Sequence, residues 1–299
     1  MLADLHVHTE HSHDSWAEVG DILDTAERRG LEVVAITDHD TVTGAQKACN
    51  LAANRDIRVI PGVERTVPAG EHGVHLIGLN VDQLPPNNDA VSVVDSIHNQ
   101  GGTVVVPHPF RIGTGLLYHA ENGTVPQSAA ESVLQRASLI EICNWKDSQA
   151  AISKTLEFAR NSSHGIVAGT DAHTTADIGK ISTRIESPEA IEQESEVIVQ
   201  VEDPATISLD NLPERLLGRS PRSKDSALRT KLVSLTANLM DLIPGDEPNY
   251  TTKRIVQRVR ATLEGTSTGG PVDDAGSSSV VISRSDDGID LRATPTNSA

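Results

Sequence analysis

The sequence predicts an α/β fold made of parallel strand–helix–strand units, closed as a barrel. Three observations lead there. Short Val-, Ile- and Ala-rich runs alternate with longer segments of helical periodicity. No run approaches the apolar length of a membrane span. Residues of metal-ligand type recur in order at or near these runs: Asp4-Leu5-His6-Val7-His8, Thr37-Asp38-His39-Asp40, Gly62-Val63-Glu64, Val74-His75-Leu76, Pro107-His108-Pro109 and Gly169-Thr170-Asp171-Ala172-His173. Parallel barrels build their sites at strand C-termini. Alternate side chains of a strand share a face, so His6 and His8 point the same way.

The elements follow in order. After the first ligand strand, Ser15 is expected to open a helix, with Glu18 completing a capping box. Val19, Ile22, Leu23 and Ala26 form its buried stripe, and Gly30 closes it. Strands are expected at Leu31–Ile36, Ile57–Ile60, Val74–Leu79, Thr103–Val106, Leu139–Ile142, Ile166–Ala168 and Val197–Val201. Helices are expected at Thr43–Asn54, Asp89–Gln100 and Ser148–Arg160, with a short one at Leu209–Leu217. Gly113–Pro126 reads as a long loop suited to a lid or substrate contact. Residues 1–222 are expected to form the barrel and 223–264 a small helical appendage, with helices at Ala227–Leu242 and Thr252–Leu263. Residues 265–299 turn to Gly, Ser, Thr, Asp and Pro, and read as a largely disordered acidic tail. Within it, Val280-Val281-Ile282 and Ile289-Asp290-Leu291 allow a weak hairpin around Asp286-Asp287-Gly288.

Composition narrows the classes. The chain of 299 residues carries a net charge of −17, few lysines and 2% aromatics, a balance like that of proteins adapted to high salt. No basic, aromatic-lined groove for long nucleic acid is visible. Cys49 and Cys143 are too few for a disulfide framework and lack metal-site spacing. No leader of basic, then apolar, then small residues is expected, and the expected compartment is a reducing cytoplasm with no membrane attachment. Phosphate-binding P-loop, catalytic-serine elbow and Rossmann glycine patterns are absent from the sequence.

The ligand series resembles the PHP family, the polymerase and histidinol phosphatase domain. Its four motifs are matched by His6-Val7-His8, Thr37-Asp38-His39-Asp40, His108-Pro109 and Asp171-Ala172-His173, over Met1 to about Arg222. The resemblance implies a distorted, TIM-like (β/α)7 barrel that binds up to three divalent metals and hydrolyses phosphoesters. It implies as ligands His6, His8, Asp14, His39, Glu64, His75, His108, Asp171 and His173. The segment Ser12-His13-Asp14-Ser15 is one residue longer than the family's common form, so His13 or Asp14 takes the ligand place; Asp14 is favoured. Glu64 suits a bridging role, because its two oxygens can hold two cations.

Mixed imidazole and carboxylate donors suit Zn, Mn or Fe better than Mg or Ca. Clustered cations lower the pKa of bound water to about 7, which gives a hydroxide nucleophile. A phosphate then needs a donor fork. Arg111 is the first choice and Arg65 the second, because a guanidinium matches phosphate bidentately. Asp40, with Asp38 and Asp4, is expected to orient ligands from behind. His11, His72, His98, His119 and His164 lie outside the motifs and are expected at the surface. The expected activity is a metal-dependent phosphoesterase acting on a phosphomonoester or a terminal nucleotide phosphate. The alternatives are a nuclease trimming short DNA or RNA, a metal-binding module without turnover, and an amidohydrolase, for which Lys146 is the only nearby lysine.

Overall fold

The structure is a computed structural model that describes residues 1–189, 191, 196–201, 278–285 and 288–294. All of these belong to one unit, Met1–Leu217 with Ser277–Ala299, and the second unit, Gly218–Gly276, holds none of them. The expected helices at Leu209–Leu217, Ala227–Leu242 and Thr252–Leu263 therefore lie outside the described residues, as does the boundary after Arg222.

Seven strands make the barrel: β1 (Leu2–Val7), β2 (Val33–Ile36), β3 (Arg58–Val67), β4 (Val74–Leu79), β5 (Thr103–Val106), β6 (Leu139–Asn144) and β7 (Gly165–Gly169). Six helices pack between them: α1 (Val19–Arg28), α2 (Thr43–Ala52), α3 (Ala90–Asn99), α4 (Leu116–Glu121), α5 (Gln127–Leu134) and α6 (Gln149–Arg160). Strands β1, β2 and β3 are parallel in order, as are β5, β6 and β7. Strand β4 runs antiparallel to both neighbours, which departs from the all-parallel pattern expected. The reason is length. Only Pro68–Gly73 separates β3 from β4, and a parallel crossover needs about a dozen residues or more. Reversal has a useful consequence: the start of β4, rather than its end, reaches the ligand side of the barrel.

The barrel closes where β7 meets β1. Val7 bridges Ala172, the His8 N–H donates to the Ala172 carbonyl (2.9 Å), and the Ala172 N–H donates to the His6 carbonyl (3.3 Å). Below this point Thr183 of β8 (Ile181–Arg184) accepts from the Ala168 N–H (2.9 Å) and donates to the Ala168 carbonyl (3.0 Å). One apolar cluster draws on every barrel strand and on no helix: Ala3, Leu5, Val33, Ala35, Ile60, Ile77, Leu79, Val105, Leu139 and Val167, with Ile185 and Ile191. It fills the barrel interior. A second cluster lies between β1–β2 and α1–α2, and a third between β4–β7 and the remaining helices.

Three local expectations are corrected. Ser15 is not a helix cap, because α1 begins at Val19 after Glu18. Its hydroxyl instead donates to the carbonyls of His8 (3.0 Å) and His173 (3.1 Å), joining two ligand loops. Gly113–Pro126 is not a plain loop: α4 lies inside it and buries Leu116, Leu117 and His119. His119, expected at the surface, is buried and its Nε2 meets the Gly113 carbonyl at 2.7 Å. The hairpin that the sequence allowed around Asp286-Asp287-Gly288 is present as β10 (Ser278–Ser285) and β11 (Gly288–Thr294). Strand β10 pairs with β9 (Glu196–Val201), so the sheet continues from β1 through β8, β9 and β10 to β11. Val280, Ile282 and Ile289 are buried against the third cluster. Alternating β-branched residues with one apolar face explain why the segment is a hairpin.

Among the described residues no helix is long and apolar enough to cross a membrane.

Candidate metal centre

The strand ends place nine His, Asp and Glu side chains over the barrel mouth. His6 lies in β1, with His8 directly after it and Asp14 in the loop beyond; His39 follows β2, Glu64 lies in β3 and His75 in β4, and His108, Asp171 and His173 follow β5 and β7. His108 (φ 29°) and Asp171 (φ 53°) hold left-handed backbone conformations that non-glycine residues seldom adopt. Such strain costs about 1–3 kcal/mol each and persists where the surroundings enforce it, as at functional sites. Gly169 is needed at the end of β7, since a Cβ there would collide with the His6 Cβ and approach Glu141 Oε1 to 2.8 Å.

Four buried donors converge at the centre. His6 Nε2 lies 3.1 Å from His8 Nε2 and 3.0 Å from Glu64 Oε2. His8 Nε2 is 3.2 Å from both Glu64 Oε2 and Asp171 Oδ1, and His6 Nε2 is 3.6 Å from Asp171 Oδ1. Ligand atoms about 2.0–2.1 Å from a tetrahedral ion lie roughly 3.3–3.4 Å apart, which this set brackets. The other Glu64 oxygen faces a second pair, His75 Nδ1 and His108 Nε2, each at 2.9 Å. His39 Nδ1 approaches Glu64 Oε2 at 3.5 Å. A third group joins His8, Asp14, His39 and His173. There Asp14 Oδ2 is 2.6 Å from His173 Nε2 and 3.5 Å from His39 Nε2.

These donors fit divalent ions. The nitrogens His39 Nδ1 and His75 Nδ1 are buried beside Glu64 yet make no hydrogen bond. A buried polar atom without a partner is costly, and a cation between imidazole and carboxylate satisfies it. The electrostatics agree. Burial would raise the Glu64 carboxyl, but His6, His75 and His39 hold it well below the usual range. Burial lowers the His39 imidazole, but Glu64, Asp14 and Asp171 outweigh it and bring the pKa to about 9. Burial, with the charge of Arg111, pushes His108 down to about 4.

The loops are fastened by buried carboxylates. Asp4 accepts from the Thr170 hydroxyl (2.6 Å), the Gly179 N–H (2.9 Å) and the Thr170 N–H (3.1 Å), next to Asp171. Asp38 accepts from the Thr9 N–H (2.5 Å) and hydroxyl (2.8 Å), next to His8. Burial raises both carboxyls to about 6. Asp40 works at a distance from the centre: it pairs with the Arg65 guanidinium and accepts the Thr66 N–H at 2.9 Å. Arg65 also donates to the Pro85 carbonyl at 2.8 Å. Strand alternation turns it away from Glu64, and its fork holds the Asp40 and Pro85 segments. Arg111 does reach the centre. It donates to Asp147 Oδ1 (2.6 Å), Asp171 Oδ2 (2.6 Å) and Asn144 Oδ1 (2.7 Å). These bonds use three of a guanidinium's five N–H groups. Of the rival residues at the third group, Asp14 is inside it, while His13 is exposed with its ring 5.1 Å from that of His39.

Glu141 escaped the sequence reading. Its Oε1 meets His6 Nδ1 at 3.0 Å, and its Oε2 accepts from the His108 N–H (2.8 Å) and the Asn144 amide (2.9 Å). A carboxylate on the outer imidazole nitrogen leaves Nε2 free for an ion. The available signal was a Glu in the middle of the apolar run Leu139–Asn144, since a buried carboxylate needs a partner. Ser12 was also missed; it donates to Asp14 Oδ1 (2.7 Å) and accepts the His39 N–H (3.2 Å).

Comparison with known proteins agrees with this geometry. The profile of the PHP domain matches residues 4–103, and one described as PHP-associated matches residues 151–202. An uncharacterized protein of Methanocaldococcus jannaschii is 35% identical over 121 residues, covering 37% of this chain and 68% of that protein. A 3',5'-nucleoside bisphosphate phosphatase of Chromobacterium violaceum is 39% identical over 83 residues, 28% of this chain and 29% of that enzyme. A phosphoribosyl 1,2-cyclic phosphate 1,2-diphosphodiesterase of Eggerthella lenta is 36% identical over 88 residues, 29% of this chain and 33% of that enzyme. The chain thus spans about a third of the length of these two named enzymes. A crystal structure of a two-domain protein from Bacteroides vulgatus, containing a predicted PHP-like metal-dependent phosphoesterase, shares the fold. Its TM-score is 0.52 at 16% identity, over 66% of this chain and 64% of that one. A barrel with one reversed strand, donors clustered at its mouth and these matches lead to one conclusion: the chain belongs to the PHP domain family.

Proposed function

We propose that the chain is a metal-dependent phosphoesterase that hydrolyses a phosphomonoester or the terminal phosphate of a nucleotide. The observation that carries this reading is Glu64. Its two oxygens face two separate histidine pairs, His6 with His8 and His75 with His108. A buried carboxylate in that position suits a bridge between two cations. His6, His8, Glu64 and Asp171 are assigned to one ion, and Glu64, His75 and His108, with His39 near, to a second. Asp14, His39 and His173 make up the donors of a third. Zn, Mn and Fe suit this donor set.

When bound, such ions supply Lewis acidity, which polarises a phosphoryl oxygen and makes water acidic enough to attack near neutral pH. The chain's own residues do the rest. Glu141 orients His6, and Arg111 orients Asp171 while two of its N–H groups stay available for phosphoryl oxygens. The relatives include a phosphatase acting on nucleoside bisphosphates, a cyclic phosphate diesterase and 5'-3' exoribonucleases, which supports phosphoesters of nucleotide type as the substrate class.

The test is turnover by protein loaded with Zn, Mn or Fe on phosphomonoesters, nucleoside bisphosphates and short oligonucleotides. Release of inorganic phosphate from the small esters is expected. Release of mononucleotides from oligonucleotides alone would favour a nuclease instead. No hydrolysis of any member would overturn the reading.

A further inference from the structure

Lys146 lies just beyond β6, exposed at the rim of the centre, with its Nζ 2.6 Å from His173 Nδ1. The same nitrogen is 2.8 Å from the Asp171 carbonyl. These two neighbours make opposite demands. An ammonium only donates, so it needs a bare nitrogen; a carbonyl only accepts, so it needs an N–H. His173 Nε2, the other ring nitrogen, faces Asp14 at 2.6 Å.

Loading the centre decides between the two. A ligating imidazole is neutral and gives its bare nitrogen to the ion. If Nε2 serves the ion beside Asp14, the one remaining proton sits on Nδ1. That N–H donates to the Asp171 carbonyl, and Lys146 faces a donor. The exposed ammonium is then left to solvent at the mouth, where a substrate oxygen can take the place of water. Among nearby acceptors, Asp177 already receives Lys180 at 2.5 Å on one oxygen and the Thr174 hydroxyl at 3.3 Å on the other. The Asn144 amide oxygen accepts the Lys146 backbone N–H (2.9 Å) and the Arg111 guanidinium (2.7 Å), so it is taken as well. That shared oxygen also sets Lys146 beside Arg111 in a chain whose net charge is −17.

We propose that Lys146 is a substrate-binding residue, released from His173 by metal loading to hold a phosphoryl oxygen of the substrate. The proposal rests on the phosphoesterase reading above. It assigns the two cations different tasks: Arg111 fixes a ligand and borders the substrate, whereas Lys146 is freed for the substrate alone. Lys180 is the contrasting case, since it stays on Asp177 with its ammonium 4.8 Å from the Trp145 ring centroid.

The test is calorimetric titration of inorganic phosphate into zinc-loaded protein, with zinc content measured on the same samples. Lys146→Met is expected to weaken phosphate binding about tenfold or more, the scale of a lost charged hydrogen bond, with zinc content unchanged. Lys146→Arg should recover part of it, and Lys180→Met should bind like wild type. Equal affinity in Lys146→Met and wild type overturns the proposal while leaving the phosphoesterase reading intact. Parallel loss of zinc in Lys146→Met also overturns it, because Lys146 would then serve the centre and not the ligand. Wild-type protein that binds no phosphate and hydrolyses no phosphoester overturns both.

Discussion

Arg111 donates to Asp171 Oδ2 at 2.6 Å, while the other oxygen of the same carboxylate faces His6 and His8. One guanidinium therefore sets the angle of a donor at the heart of the centre. Arg111→Lys removes the fork that joins Asp147, Asn144 and Asp171 but keeps a charge. Metal affinity should fall about 10–100-fold, the usual scale for groups that orient ligands. Competition with a metal-sensitive dye measures this. Unchanged metal affinity with weakened phosphate binding would return Arg111 to a phosphate clamp alone.

Glu141 carries a similar role for His6. Glu141→Gln keeps the shape but replaces a full negative charge with an amide on His6 Nδ1. The imidazole becomes a weaker base, and metal affinity should drop about 10–100-fold. An affinity equal to wild type would assign Glu141 to fastening the His108 backbone only.

The hairpin β10–β11 should be part of the folded barrel. Ile282 is fully buried in the cluster that also holds Val197 and Val280. Ile282→Ala should cost about 2–5 kcal/mol, the range for a large-to-small change in a core. Denaturant unfolding reads it directly. A loss below about 0.5 kcal/mol, the scale of surface changes, would mean that the hairpin does not pack in solution.

Protons and metals compete for His39. Its folded pKa of about 9 lies above the ordinary 6.5, so its contribution to metal-free stability is complete below pH 6.5 and is lost as pH rises through 9. Chelated protein should therefore lose thermal stability over this window, and His39→Gln should flatten the decline. Zinc-loaded protein should behave in the opposite sense, gaining more from the ion as pH rises, because ligands must be neutral imidazoles. Calorimetric melting temperatures at pH 6, 7.5 and 9 test both signs. A metal-free protein that becomes more stable across this range would contradict the assignment.

Much of the site was legible because its chemistry follows strand ends. His6, His8, His39, Glu64, His108, Asp171 and His173 each follow or end an apolar run, and β4 and β5 fall at the residues expected. The favoured choice of Asp14 over His13 accords with its place beside His39 and His173. What was hidden depends on contacts between distant segments. The reversal of β4 follows from a short connection, yet its apolar run reads the same in either direction. Ser15 has a good capping pattern, but bonds to the His8 and His173 carbonyls take its hydroxyl instead. Arg65 stands next to Glu64 in sequence, whereas the strand sends it toward Asp40 and Pro85. The hairpin needed β9 to pair with, and nothing local to residues 278–294 announces that partner.

Counting bound metal tests the polynuclear centre most directly. Protein purified without chelator, then loaded with Zn or Mn and desalted, is assayed by elemental analysis beside Glu64→Gln, which keeps the size of the bridging side chain but removes its charge. Two or three ions per wild-type chain, with at least one lost in the variant, is the expected result. Fewer than one ion per wild-type chain after loading, or full occupancy in Glu64→Gln, would contradict a centre built around Glu64.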